Sequence, residues 1–438
     1  MNPKVSIIVP SLNSIDYIKE CIESILKQTL KDIEILCVDA NSTDGTLEFL
    51  KECENKDKRL RVIISDKKSY GYQINLGIQE AKGEYLGIVE SDDYIKKNMY
   101  EKLYEVAKEQ NCEVVKSDFY ILKDGNKEYA QVVHPSCMYM YNQITNWQKD
   151  IMNFLATDGI NQIGIYQLDF LRINQIKLNE SLGASYQDNG LWFQIFSFAK
   201  RIYFINEAFY ILRRDNPNSS VYSKDKVYAI CEEYDFIRDN LRKNPYIEQN
   251  IAPICALHRY GNYISTLNRI DDKYKFEFIE KFAKDFEQLF KDNEIDYSIF
   301  GFHKIELINT IIENPRMFYY GLIGLKSRIQ NQLTYKLGHC YIRANNIFKK
   351  ILLPLSLLKI LFSHHFDQKI YKSILYFRPD LKLPSVSLYS EFLDSILIRN
   401  EISYRYGSII LKAFKHWYKG KLFLLPFKLY SLKRSKNA

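Results

Sequence analysis

The sequence predicts an α/β fold: a domain built on a mostly parallel β-sheet, followed by a mainly α-helical C-terminal extension. In the first 120 residues, short apolar runs rich in Val and Ile alternate with helical patterns. Such alternation is typical of βαβ units, whose strands pair in parallel. From about residue 222 onward, apolar residues instead recur at three- and four-residue spacing, which indicates amphipathic helices.

The first four apolar runs are each separated by one helical pattern. We expect strands at 5–9, 33–38, 60–64 and 85–89, and helices at about 15–28, 47–53 and 70–81. Nearly continuous apolar composition is what a strand needs when helices cover both faces of its sheet. The chain therefore opens with consecutive βαβ units.

Polar residues stand where these predicted strands end. Asn13 follows the first strand, Asp39 ends the second, and Glu90, Asp92 and Asp93 follow the fourth. Open α/β sheets bind ligands at the carboxyl ends of their strands. Carboxylates this close repel one another unless a cation lies among them, and their oxygens suit Mg²⁺ or Mn²⁺. A solvated acidic turn would explain the last cluster alone, but the convergence of several strand ends favours a site for a nucleotide and a metal.

Two common phosphate-binding motifs are absent from the sequence. No G-x-G-x-x-G follows the first strand, and no G-x-x-x-x-G-K-[ST] occurs anywhere. Dinucleotide binding of the Rossmann type and P-loop phosphate binding both lose support.

The following hundred residues predict a helix at 97–110, one or two strands within 113–122, a turn at 124–126, and short helices at 147–155 and near 166–173. Asp188 then precedes a helix with a strongly apolar face, where an acid is stabilised by the helix dipole. Asp188 is therefore either a helix cap or a functional acid. Arg213 and Arg214 follow an apolar strand at 208–212 and either clamp phosphate or lie exposed in a turn.

The segments VSIIVPSLNSIDYIKECIESILKQTLKDIEILCVDANSTDGT at 5–46 and GYQINLGIQEAKGEYLGIVESDDY at 71–94 resemble the N-terminal half of family 2 glycosyltransferases. The resemblance is specific over about residues 4–120 and weaker to about residue 221. It implies a GT-A fold, a Rossmann-like nucleotide-sugar-binding domain.

The resemblance also implies roles for the strand-end acids. Asp39 is expected to contact the nucleotide base, and Asp44 to order the loop after it. Glu90, Asp92 and Asp93 form the D-x-D-type cluster, which binds a divalent metal and the diphosphate. Glu90 stands where the family usually has aspartate, so Asp92 and Asp93 are expected to be the ligands of Mn²⁺ or Mg²⁺.

A second departure concerns the diphosphate. The family often has an arginine before the asparagine of an R-N-x-G segment, whereas this chain has Ile74 before Asn75. The diphosphate is then expected to rely on Lys67 or Lys68, or on the metal alone, unless those lysines belong to a solvated loop.

In the acceptor half, the resemblance implies an acidic pair, commonly Glu-Asp, before the helix that follows residue 188. Here the pair is Gln187-Asp188, which keeps Asp188 as the expected general base for the acceptor hydroxyl. The segment from Arg213 is expected to act as a lid over the donor. Nucleotide-sugar binding is expected of Pro10, Asn13, Asp39, Asp44, Asn75, Glu90, Ser91, Asp92, Arg213 and Arg214. No tryptophan follows a Q-x-x-R pattern, so we expect transfer of a single sugar and not processive synthesis.

We predict a GT-A domain at 1–221 (nucleotide-binding half 1–122, acceptor half 123–221), a helical domain at 222–340, and a helical tail at 341–438. The tail has 18 Lys and Arg against five acidic residues, a net charge of +13, and many aromatic side chains. Such a composition suits the anionic cytoplasmic leaflet of a membrane, although a buried helix with a basic end would also fit. Scattered cysteines without C-x-x-C pairs and a short N-terminal apolar run predict a cytoplasmic protein.

The leading hypothesis is inverting, metal-dependent transfer of one sugar from a nucleotide-sugar, expected to be uridine-linked. The expected acceptor is a glycan or lipid-linked glycan of bacterial capsule, lipooligosaccharide or a related surface polysaccharide, with no nucleic-acid partner. One alternative is a sugar-1-phosphate nucleotidyltransferase, which should carry a glycine-rich loop where this chain has Pro10-Ser11-Leu12-Asn13. The other is a non-catalytic protein whose tail binds membrane or nucleic acid.

Overall fold

The computed structural model of the chain describes residues 3–217, 226–316, 318–319, 332–344, 346–377, 402–415 and 424–434. The chain forms two compact units. The first comprises Met1–Asp271 with Gln288–Ile305, and the second comprises Asp272–Glu287 with Glu306–Ala438. The predicted boundary at residue 221 lies outside the described residues.

The strands are β1 (Val5–Ser11), β2 (Ile33–Asp39), β3 (Leu60–Ile64), β4 (Tyr85–Ile88), β5 (Tyr94–Ile95), β6 (Val114–Lys123), β7 (Asn126–Ala130), β8 (Ile144–Thr145), β9 (Gly164–Gln167) and β10 (Ile202–Arg213). The helices are α1 (Ile15–Leu26), α2 (Thr46–Lys56), α3 (Tyr70–Glu80), α4 (Met99–Glu109), α5 (Met152–Leu155), α6 (Leu168–Ile173), α7 (Gln187–Phe198), α8 (Ala229–Leu241), α9 (Pro245–Arg269), α10 (Asp272–Lys291), α11 (Tyr297–Phe300), α12 (Phe302–Glu313), α13 (Leu333–Arg343), α14 (Ile347–Phe377), α15 (Ile402–Lys415) and α16 (Leu425–Arg434).

The strands of the first unit form one mixed sheet in the order β3-β2-β1-β4-β9-β6-β10-β5, with β7 added to β6 and β8 to β10. β1 is parallel to β2 and β4, β2 to β3, and β6 to β10. β9 lies antiparallel between β4 and β6 and joins the two parallel groups. The predicted α/β class, with its mostly parallel sheet and helical C-terminal region, is confirmed.

The sheet core follows from the apolar runs. Every residue of β1 is buried, and Ile18, Cys21, Ile22 and Ile25 form the buried face of α1. Helix α3 approaches β1 closely, because a Cβ on Gly77 would lie 2.6 Å from the side chain of Ile8. This packing fixes the carboxyl ends of β1, β2 and β4 side by side.

Two short helices predicted in the acceptor half form over only part of their predicted ranges. Of the helix predicted at 147–155, only α5 forms, and the helix predicted from residue 166 begins with the last residues of β9. β9 is a strand because it fills the gap between β4 and β6, and pairing with distant strands overrides local helix propensity. For the same reason β10 begins six residues before the predicted strand: it pairs with β6 along most of its length.

The helices of the second unit have a core of their own, made of Leu337, Leu357, Tyr406, Ile410 and Leu429. α13 and α15 touch through their backbones, since a Cβ on Gly338 would lie 1.6 Å from the carbonyl oxygen of Ser403. The predicted boundary at residue 340 falls within α13. Among the residues that the structure describes, no helix is both long enough and apolar enough to cross a membrane.

Candidate functional site

A cleft of about 450 Å³ opens at the carboxyl ends of β1 and β4. Its walls come from residues 10–14, 16–17, 68–70, 73, 90–93, 160, 162, 183–188, 212–214 and 216. The predicted site residues that line it are Pro10, Asn13, Glu90, Ser91, Asp92, Asp93, Asp188, Arg213 and Arg214, whereas Asp39, Asp44 and Asn75 lie outside its lining. Residues that are far apart in sequence thus meet in one cavity.

The wall after β1 is held by the loop after β2. The amide of Asn13 donates to Ser42 Oγ at 2.8 Å, and the Asn13 side chain accepts from the amide of Thr43 at 2.9 Å. Ser14 Oγ lies 2.8 Å from Ser91 Oγ, which ties this turn to the acidic segment. The turn therefore has a fixed position at the edge of the cleft.

Asp39 lies beneath this turn and is fully buried. Its carboxylate accepts hydrogen bonds at 2.7 Å from Ser11 Oγ, from Ser42 Oγ and from the Ser42 amide. Asp39 therefore connects the ends of β1 and β2, and its predicted contact with a nucleotide base stays a prediction.

Asp44 and Asn75 also make structural contacts. Asp44 accepts from the amides of Ile15 and Thr46 at 3.0 Å each, and so orders the start of both α1 and α2. The Asn75 side chain donates to the carbonyl of Leu178 at 2.9 Å and accepts from its amide at 2.8 Å. Asn75 thus holds the segment that leads to Asp188.

Glu90 is half-buried at the end of β4. Its Oε1 accepts from the hydroxyl of Tyr70 at 2.7 Å and from Gln162 Nε2 at 2.5 Å. Burial, together with the charges of Asp92 and Asp188, raises the pKa of Glu90 to about 7 against the effect of these hydrogen bonds. Glu90 therefore binds a proton more readily than an exposed glutamate does.

The next two carboxylates differ in orientation. Asp93 is 2% exposed, and its oxygens accept from the Tyr210 hydroxyl and from the Arg213 amide at 2.6 Å each. Burial, with the charge of Asp92, raises the pKa of Asp93 well above its ordinary value. Asp92 is half-exposed, and its Oδ2 accepts from Asn216 Nδ2 at 2.8 Å. Asp92 is therefore the better placed of the two predicted metal ligands.

The two arginines at the end of β10 also differ. Arg213 donates to the carbonyl of Asp92 at 2.8 Å and to Glu20 at 2.6 Å, and its side chain is 12% exposed. It therefore braces the acidic segment. Arg214 lines the cleft, and its charge acts to lower the pKa of Asp188.

The wall formed by residues 183–188 is hydrogen-bonded to the segment at the start of α3. Gly183 donates to the carbonyl of Lys68 at 2.7 Å and accepts from the amide of Tyr70 at 3.0 Å. The approach is close, because a Cβ on Gly71 would lie 1.9 Å from the carbonyl oxygen of Asn179. Lys68 lines the cleft, whereas Lys67 pairs with Glu180 at 3.2 Å.

Asp188 lies in the first turn of α7 with its side chain exposed to the cleft. The preceding Tyr186 has φ of +64°, a conformation that is uncommon for a bulky residue and often found at functional sites. Surrounding protein displaces water and raises the pKa of Asp188 above its ordinary value. Gln187, where the family commonly has Glu, is buried and donates to Ser181 Oγ at 3.0 Å. Gln187 therefore supports the loop before Asp188.

A buried acid lies behind this helix start. Glu233 of α8 is 1% exposed, and its Oε1 accepts from the amide of Gly190 at 2.9 Å. Its Oε2 has no hydrogen-bond partner among the described residues. Burial raises the pKa of Glu233 to about 8, so the neutral form predominates at pH 7.

This burial makes a stability prediction. In the unfolded chain Glu233 loses its proton near pH 4.3, whereas in the folded chain it keeps the proton until about pH 8. The contribution of Glu233 to the free energy of unfolding is therefore fully present at low pH and is lost as the pH rises toward about 8. Glu233→Gln, which stays neutral, should melt several degrees above the wild type at pH 9, since each kcal/mol is about 2–4 °C at this size. Melting curves from pH 5 to pH 9 measure this, and Glu232→Gln at the exposed neighbour is the matched control. Parallel curves for wild type and Glu233→Gln would contradict it.

Sequence reasoning missed four residues that contact the acids: Tyr70, Gln162 and Asn216, which line the cleft, and the fully buried Tyr210. They come from four separate segments, and nothing in the local sequence marks them. Tyr210, for example, lies within an apolar strand and is indistinguishable there from a core tyrosine. Only the pairing of β10 with β5 and β6 places its hydroxyl against Asp93.

Comparisons with known proteins agree with this geometry. A sequence model of glycosyl transferase family 2 matches residues 6–168, and a model of a domain of unknown function, DUF8374, matches residues 260–437. Glycosyltransferase GlyG of Streptococcus pneumoniae serotype 4 is 35% identical over 221 residues, which are 49% of this chain and 72% of GlyG. The uncharacterized glycosyltransferase EpsJ of Bacillus subtilis is 30% identical over 223 residues, which are 50% of this chain and 63% of EpsJ.

A third relative is the poly(ribitol-phosphate) beta-glucosyltransferase of Bacillus spizizenii. It is 30% identical over 224 residues, which are 50% of this chain and 34% of that enzyme. Among solved structures, residues 1–349 of Staphylococcus aureus TarS in complex with UDP-GlcNAc superpose with a TM-score of 0.56 at 22% identity. The superposition covers 72% of this chain and 91% of that structure, and supports the GT-A fold.

Family membership also decides between the hypotheses raised by the sequence. It favours a glycosyltransferase over a nucleotidyltransferase or a non-catalytic binding protein. The matched residues include the turn after β1, the loop after β2 and the acidic segment after β4. By sequence identity, by the matching family model and by fold, the chain belongs to glycosyl transferase family 2.

Proposed function

We propose that this glycosyltransferase moves one sugar from a uridine-linked nucleotide-sugar to an acceptor hydroxyl with inversion at the anomeric carbon. The observation that carries the proposal is the shared cleft: Asp188 and the acidic segment 90–93 are far apart in sequence and line the same cavity. One end of the cleft suits a diphosphate with its counter-ion, and the other presents a carboxylate to an acceptor.

A uridine-linked donor is supported by likeness of fold. The TarS structure that shares the fold was obtained with UDP-GlcNAc. In this chain, the turn from Pro10 to Ser14 lines the cleft, and the loop from Ser42 holds that turn beside the buried Asp39. A nucleoside placed along this wall would extend its diphosphate toward Asp92.

The donor set fits a divalent cation. Asp92 is a half-exposed carboxylate at the cleft, and burial and mutual repulsion raise the pKa values of Glu90 and Asp93. No group of three or more His, Cys, Asp or Glu side chains within the described ranges is arranged to hold a metal. Asp92 would therefore hold Mn²⁺ or Mg²⁺ together with the donor's diphosphate oxygens, and a bound cation would stabilise the charge of the departing diphosphate.

The proposed reaction needs a base on the acceptor side. Asp188 accepts the proton of the acceptor hydroxyl as its oxygen bonds to the anomeric carbon. The bond between that carbon and the diphosphate breaks on the opposite face, so configuration inverts and the nucleoside diphosphate leaves. The protein that surrounds the Asp188 carboxylate raises its pKa above the ordinary value, and a carboxylate with a higher pKa is a stronger base.

The acceptor is proposed from the relatives. Poly(ribitol-phosphate), a polyol phosphate polymer, is named as the acceptor of the Bacillus spizizenii enzyme. For this chain we propose a hydroxyl of a glycan or lipid-linked glycan in bacterial surface-polysaccharide synthesis, including capsule and lipooligosaccharide. With no Q-x-x-R-W motif in the sequence, transfer of a single sugar remains the proposal.

A donor panel tests this proposal. We expect UDP-sugars with Mn²⁺ to raise the melting temperature, by the equivalent of about 2.7 kcal/mol at a concentration of 100 times Kd. GDP- and CMP-sugars should have little effect, and EDTA should remove most of the UDP effect. Preferential stabilisation by a non-uridine donor would overturn the uridine assignment, and full stabilisation in EDTA would overturn the metal.

A further inference from the structure

Helix α14 of the second unit presents a continuous apolar face to solvent. The exposed side chains on it are Phe348, Ile351, Leu352, Leu355, Leu358, Phe362 and Phe366, whose exposed fractions range from 42% to 75%. Their spacing follows the three- and four-residue rhythm of one helix face, and at about 100° per residue they fall within an arc of about 120°. The face is about 27 Å long, at about 1.5 Å per residue.

The opposite side of α14 already has its partners. Leu357 is 6% exposed in the core of the second unit, and Leu353, Ile360 and Leu361 pack against that core. The helix is thus apolar on two sides, one packed in the core of the second unit and one exposed. A large exposed apolar surface of this kind is typical of an interaction site.

The charge beside this face is strongly positive. Exposed lysines Lys349, Lys350, Lys359, Lys369 and Lys372 lie along α14, whose only acidic residue is Asp367. The tail from residue 341 carries a net charge of +13, whereas residues 1–340 carry −5. The surface that this helix complements is therefore both apolar and anionic.

We propose that the exposed face of α14 lies in the interfacial region of a membrane that contains anionic lipids. Apolar side chains enter the boundary between headgroups and acyl chains, while the lysines pair with lipid phosphates. The proposed attachment is peripheral, with the helix lying in the plane of the interface. The inference is independent of the donor proposed above and places the enzyme where a lipid-linked acceptor would be found.

Vesicle flotation of the full chain tests the proposal. The wild type should bind vesicles of phosphatidylcholine with about one third phosphatidylglycerol and bind pure phosphatidylcholine at least about tenfold less. Binding should weaken as salt rises from about 0.1 M to about 0.5 M. Absence of binding to anionic vesicles, or equal binding to both kinds, would overturn the proposal.

Matched variants separate this face from general surface hydrophobicity. Phe348→Ser with Phe362→Ser, at positions 75% and 74% exposed, should lower binding about tenfold or more. Ile173→Ser with Phe302→Ser, at positions 78% and 75% exposed in the first unit, should leave binding unchanged. Equal loss in both pairs would overturn the assignment of the face.

Two further measurements keep the proposal falsifiable if the serine pair folds poorly. Lys349→Glu with Lys359→Glu leaves every apolar side chain of the face in place and should still weaken binding to anionic vesicles severalfold. Light scattering of the vesicle-free protein should show the same oligomeric state for wild type and the serine pair. A dimer that the serine substitutions dissociate, without a change in vesicle binding, would assign the face to a second copy of the chain and overturn the membrane proposal.

Discussion

Replacing Asp188 by Asn is expected to lower kcat by about 10²- to 10⁴-fold, the usual contribution of a positioned general base. The amide has nearly the shape of the carboxylate and can still accept from the amide of Asn189, as Asp188 does at 3.0 Å. It cannot take a proton from the acceptor. Donor binding, measured by titration with UDP and Mn²⁺, should stay within about twofold because Asp188 acts on the acceptor side.

Asp169→Asn is the matched control for this substitution. Asp169 also lies exposed in the first turn of a helix, α6, but outside the cleft. It should keep full activity. If Asp188→Asn retained turnover like this control, Asp188 would be a helix-capping residue and not the base.

Asp92→Asn is expected to weaken Mn²⁺-dependent binding of UDP about tenfold or more, because a neutral amide is a much poorer ligand for a hard cation. The fold should be little affected, since Asp92 is half-exposed and accepts one side-chain hydrogen bond, from Asn216. Titration with UDP in the presence and absence of Mn²⁺, together with melting curves, measures both effects.

Asp93→Asn is the natural comparison and should behave differently. Asp93 is buried, and its oxygens hold the Tyr210 hydroxyl and the Arg213 amide. Since a misplaced amide group leaves a buried partner unsatisfied, we expect a loss of about 1–3 kcal/mol in the free energy of unfolding. Equal loss of metal-dependent UDP binding in two well-folded variants would show that both carboxylates bind the cation and contradict this division of roles.

The strands and helices of the nucleotide-binding half at 1–122 could be predicted closely from the sequence. The strands at 5–11, 33–39, 60–64 and 85–88 and the helices between them lie where the apolar periodicity placed them. Local patterns suffice there because each strand is a nearly continuous apolar run and a helix with one apolar face follows each of the first three strands directly. The acceptor half at 123–221 was less predictable, because β9 and β10 acquire their partners from distant parts of the chain.

The candidate site shows the same division. The sequence identified the acids Glu90, Asp92, Asp93 and Asp188, because carboxylates after strands and at a helix start are local features. Tertiary structure decided their orientation: Asp93 points to Tyr210, and Asp39 points to Ser11 and Ser42. Hydrogen-bond partners of a buried carboxylate come from other strands, and a single strand's sequence does not contain them.

The sequence by itself therefore determined the fold class, the family resemblance and the acids available for chemistry. Tertiary structure alone decided that Asp188 and the acidic segment share one cleft, that a buried Glu233 supports the start of α7, and that α14 exposes a second apolar face. The physical reason is that secondary structure depends mainly on neighbours along the chain, whereas burial, hydrogen bonding and exposure depend on neighbours in space.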